Sequence, residues 1–99
     1  MTVKTPLRIL WHQRKVKDPD TVLFVKIGKF YHLFNEDVDR VNISGLLLEK
    51  HIINFTPEHT LAQSLEKMWA IPETIIVTFL TRLEDVMPAL KYMCGKINA

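Results

Sequence analysis

Between positions 22 and 41 the chain reads VLFVKIGKFYHLFNEDVDRV, and three groups of side chains within it could carry chemistry. Phe30, Tyr31 and Phe34 form an aromatic cluster with His32 inside it, close to Lys26 and Lys29. An aromatic held at a turn between cations suits stacking on nucleic-acid bases or wedging between them. The same rings could equally plug one end of a core, since aromatics supply much of a core's area. Glu36, Asp37 and Asp39 could in principle hold a divalent cation. Contiguous acids at a helix start are already explained by the helix dipole, however, which favours negative charge there.

Elsewhere the inventory is thin. The four histidines, at positions 12, 32, 51 and 59, make no ligand pair on a helix face and no Cys/His spacing suited to zinc, so no metal is expected. Gly28, Gly45 and Gly95 stand apart, which leaves no phosphate-cradling loop and no expected nucleotide cofactor. Cys94 lies beside Met93 on a late apolar stripe and reads as an inert buried thiol with no base to activate it. No catalytic constellation is visible, and an enzyme is not expected.

Ninety-nine residues, 47% of them apolar, are enough for one domain, residues 1–99, that buries a core without disulfides or metals. No apolar run is long enough to span a membrane and no signal peptide is recognisable, so an intracellular protein is expected, cytoplasmic or nucleoid-associated, or nuclear in a eukaryote. Net charge is only +2, but it is unevenly spread: the first 29 residues carry +5 and the remainder −3. A basic first third can attract phosphates.

These residues need elements to position them. Thr5-Pro6 reads as a helix start, followed by an apolar stripe of Leu7, Leu10 and Trp11, with Arg8, Arg14, Lys15 and Lys17 on the solvated side. Residues 21–27 are β-branched and nearly continuously apolar, as in a strand covered on both faces. Gly28 then supplies a turn, and Asn35 a helix cap that leaves Val38 and Val41 facing inward. A second strand is expected over 46–55. Thr56-Pro57 opens an amphipathic helix with Leu61, Leu65, Met68 and Trp69 on one side. Residues 74–80, TIIVTFL, read as a buried strand. Thr81 and Glu84 have capping-box spacing for a last helix that ends at Gly95. The alternation α-β-α-β-α-β-α implies an α/β fold, a mixed β-sheet flanked by helices.

The stretch LFVKIGKFYHLFNEDVDR resembles the signature near the start of MutS-type mismatch-repair proteins. In that pattern an apolar strand leads into a Met-Gly-Asp/Lys-Phe-Tyr-Glu-Leu-Phe motif, then an acidic pair and a helix. Gly28, Phe30, Tyr31, Leu33, Phe34 and Asp37 match, and Lys29 is an accepted variant. Phe55-Thr56-Pro57, the expected helix over 61–69 and the expected strand over 74–79 follow in the family's order. The resemblance therefore covers most of the chain and points to the N-terminal mismatch-recognition domain, MutS domain I, standing alone without the ATPase of the family.

It implies duplex DNA as a partner, contacted in the minor groove by a Phe-x-Glu element whose phenylalanine wedges at a mispaired base. Phe30 occupies the wedge position. His32 stands where the family has glutamate, and a histidine is no anion near neutral pH and responds to pH as glutamate does not. Lys26 and Lys29 complete the expected DNA-contacting set. The other reading the residues leave open is a protein-interaction module that keeps the fold without mismatch recognition.

Overall fold

The computed structural model describes residues 5–55 and 65–97. Within them five strands form one mixed sheet: β1 (Val22–Ile27), β2 (Phe30–Phe34), β3 (Ile53–Asn54), β4 (Lys67–Pro72) and β5 (Tyr92–Gly95), in the spatial order β3-β4-β2-β1-β5. The helices α1 (Leu7–Lys17), α2 (Glu36–Asn42) and α3 (Ile76–Val86) cover it. β1 and β2 form an antiparallel hairpin, β4 pairs antiparallel with both β2 and β3, and β5 lies parallel to β1. β4 and β5 therefore run in the same direction, and α3 is the crossover that a parallel arrangement requires.

β1 explains the architecture. Val22, Leu23, Phe24 and Val25 are all buried, so both faces of this strand need cover. Side chains alternate along a strand, and the two sets enter different cores. Val22 and Phe24 join Leu33, Trp69, Ile71 and the helix residues Val38, Val41, Ile76, Phe79 and Leu83 on the face covered by α2 and α3. Leu23 and Val25 join Trp11 and Phe34 on the face covered by α1.

The two layers are tied together at the start of β1. The Lys15 ammonium of α1 donates to the Thr21 carbonyl and to Asp37 Oδ1 of α2, each at 2.7 Å, while Asp37 Oδ2 accepts from the Leu23 amide at 3.0 Å. Lys15 is thus buried and paired rather than solvated, and Asp37 is fully buried rather than displayed at a helix end. Burial pushes the Asp37 carboxyl above its ordinary range, while Lys15 and the Leu23 amide pull the other way.

Several elements differ from those the sequence predicts. The aromatic cluster that follows the Gly28 turn is itself a strand, β2. Of the strand expected over 46–55 only Ile53–Asn54 pairs, and Glu49–His51 is a short 3-10 turn. The helix expected over 61–69 falls partly outside the described residues, and Met68 and Trp69 lie on strand β4. Thr56-Pro57 also lies outside them.

The expected buried strand over 74–80 is a 3-10 turn, Glu73–Ile75, leading into α3. Thr81 and Glu84 lie inside α3 rather than capping a helix, with Thr81 Oγ1 donating to the Val77 carbonyl at 2.9 Å. Pro88 follows that helix, and Gly95 ends a strand rather than a helix.

Candidate nucleic-acid interface

The hairpin decides where the aromatic residues go. Gly28 takes φ +60°, the backbone conformation that favours glycine at the first position of a two-residue hairpin turn. The register then sets Ile27 opposite Phe30 and Val25 opposite His32. On the other side Phe30 pairs with Pro72, His32 with Ala70 and Phe34 with Met68. The Glu73 amide donates to the Lys29 carbonyl at 2.8 Å, which fastens the turn to the end of β4.

Phe30, His32 and Phe34 are two residues apart along β2 and so share a face, the one covered by α1. Their rings form a row: His32 stacks on Phe34 with centroids 6.0 Å apart, and Phe30 meets His32 edge-on at 6.4 Å. Trp11 of α1 closes the far end, edge-on to Phe34 at 6.4 Å. Exposure rises along the row, from buried Phe34 through half-buried His32 to Phe30, which is 45% exposed. His32 Nδ1 is buried and has no hydrogen-bond partner among the described residues. Tyr31 and Leu33 point the other way and pack on the α2/α3 core.

The two lysines part company. Lys29 is exposed at the turn beside Phe30. Lys26 pairs with Tyr31 in the register and therefore sits on the opposite face, with its ammonium 5.9 Å from the Tyr31 ring centroid and 3.1 Å from the Glu73 carboxylate. Glu73 holds the Lys26 ammonium above its usual pKa. Phe30 and His32 thus share the α1 face next to the turn that carries Lys29, and the Lys26 ammonium lies on the other face.

The acidic cluster is dispersed. Asp37 is committed to Lys15, and Asp39 binds the Lys67 ammonium at 2.6 Å. Asn35, which takes φ +48°, accepts from the Glu66 and Lys67 amides through Oδ1 and makes no side-chain cap for α2. Cys94 is exposed on β5 rather than buried, and desolvation pushes its thiol up to about 11, which disfavours the thiolate a nucleophile needs. Sequence reasoning missed the row as a row. Its signal is the i, i+2, i+4 spacing of Phe30, His32 and Phe34, a strand period that the density of aromatics conceals.

Hairpin, register and exposed ring define a mixed α/β domain that presents one aromatic at a fastened turn. Comparison with known proteins gives the family. Residues 5–85 match the family model for MutS domain I, and the chain belongs to that family. It is 35% identical over 80 residues to the DNA mismatch repair protein MutS of Chlamydia pneumoniae, across 80% of this chain and 8% of that relative. The chain thus spans a small fraction of the relative's length.

Proposed function

We propose that this domain binds duplex DNA and contacts mismatched or otherwise deformable sites through Phe30 as an aromatic wedge. Membership of the MutS domain I family supports the partner, and one observation supports the residue: Phe30 is the exposed end of a row whose inner end is anchored in the core. An inserted side chain must project from a base that does not yield, and the row from Phe30 to Trp11 supplies one. Lys29 sits at the turn to meet phosphate. His32 lies directly behind Phe30, where the family pattern has an acid, and offers Nε2 in place of a carboxylate for a base edge. No catalytic step is assigned to these residues, and action inside the cell on DNA follows from the same reading.

Titration of matched and mismatched duplexes at several salt concentrations tests it. Tighter binding to the mismatched duplex is expected, with an affinity that falls as salt rises because phosphate contacts release counterions. Phe30→Ala should remove most of the mismatch preference while leaving the fold intact. Undetectable or salt-insensitive binding refutes the proposal.

A second reading, a protein-interaction module, is favoured by a different surface. Ile75, just before α3 and 49% exposed, lines a cleft with Leu46, Thr78, Phe79 and Arg82. Under that reading Ile75→Asp abolishes capture of a partner protein while Phe30→Ala does not.

A further inference from the structure

A cavity of about 480 Å³ opens between the start of α1 and the β1–β5 side of the sheet, lined by Leu7, Leu10, Val25, Ile27 and Ile97, with Lys96 at its rim. Its volume lies within the roughly 300–1,000 Å³ typical of ligand sites. Its position matters more. Val25 and Ile27 form its wall, and their cross-strand partners are His32 and Phe30. All four share the α1 face of the sheet, so the cavity and the exposed ring are adjacent columns of one surface.

We propose that this cavity receives an extrahelical nucleobase, displaced from the duplex next to the point where Phe30 inserts. The inference rests on the DNA-binding reading above. A ring that enters the base stack takes space from a base, and unstacking that base is unfavourable. A flat apolar site beside the wedge offsets part of that cost by burying the displaced base. The lining is mostly apolar, with Thr5 and Lys26 adding polar groups that can meet a base's edge, and exposed Lys96 supplies a cation for the attached phosphate. The first turn of α1 contains no acidic residue that would repel that phosphate.

The experiment uses the full chain and three duplexes: matched, mismatched, and carrying one bulged 2-aminopurine. Bulged duplex should bind more tightly than matched, and the backbone amides of Leu10, Val25 and Ile97 should shift in the NMR spectrum of its complex. Ile97→Trp, which fills the cavity, should reduce the preference for bulged over matched duplex roughly tenfold, an amount in the range of one lost base-stacking contact.

The unaltered protein keeps the test decisive if that variant misfolds. Bulged duplex that binds without shifting those three amides overturns the cavity and leaves the wedge standing. A folded Ile97→Trp that retains full preference does the same. Absence of salt-dependent binding to every duplex refutes the DNA reading and the cavity with it. Shifts at these amides from an indole-bearing peptide, but none from the bulged duplex, overturn the proposal in favour of a protein side chain.

Discussion

The two faces of the sheet are built to different standards. On the α2/α3 face, Phe24, Leu33, Ile71 and Leu83 are almost wholly buried, and Trp69 and Phe79 pack with centroids 5.6 Å apart. On the α1 face the buried cluster among the described residues is Trp11, Leu23, Val25 and Phe34, and cover gives out along β2 until Phe30 stands 45% exposed. Helix α1, eleven residues long, shields this face, and the cavity at its start marks where the shielding stops. Burial is concentrated on one side of the domain and the proposed contact surface lies on the other, so loss of one need not mean loss of the other.

The largest effect should come from the link between the faces. Asp37→Ala leaves the Lys15 ammonium buried without its partner and the Leu23 amide without its acceptor, and should cost about 3–5 kcal/mol in urea denaturation. Both faces would loosen together. Next, Leu83→Ala opens a cavity on the closed face and should cost about 2–5 kcal/mol, while the folded fraction still binds DNA with unchanged mismatch preference. A preference that fell with stability would break the separation of the two faces.

Phe30→Ala reverses the pattern. Its half-exposed ring should contribute no more than about 1 kcal/mol to folding, against a loss of roughly tenfold or more in mismatched-duplex affinity. Equal losses in both would show Phe30 to be a core plug.

The smallest effect concerns Tyr92 at the edge of the sheet, whose phenol donates to the Glu84 carboxylate and is pushed up to about 12 by that bond. Between its ordinary value of 10.0 and about 12 the folded chain keeps a proton that the unfolded chain has lost. Stability from this bond is therefore complete below that window and declines as pH rises through it. Tyr92→Phe should flatten the decline in alkaline melting curves.

How much of this was legible in the sequence differs by element. β1 was readable because a short, continuous, β-branched apolar run belongs to a strand covered on both faces, and both faces of β1 are buried. The turn was readable from Gly28. α3 was not, because TIIVTFL is rich in residues favoured in strands. Yet Ile76, Phe79 and Leu83 recur at helical spacing and bury against the sheet, and packing overrides intrinsic preference. β4 was missed for the converse reason: Leu65, Met68 and Trp69 imitate a helical stripe, while Trp69 and Ile71 are the alternating inward pair that the sheet uses. At the candidate site, Phe30 and His32 share one face of β2 while Lys26 lies on the other, because strand alternation reverses a side chain's direction with each residue. The Lys15–Asp37 pair lay beyond sequence reasoning, since 22 positions separate residues that meet only once both layers are assembled.

The two-residue turn at Gly28-Lys29 makes the identity of the residues on the open face a matter of parity. One residue inserted into or deleted from β2 beside the turn would exchange odd for even. Phe30 and His32 would be delivered to the α2/α3 core, and Tyr31 and Leu33 to the open face. A two-residue change would restore the assignment. Length variation at this hairpin among related chains should therefore come in even steps, or arrive with a bulge that absorbs the odd residue.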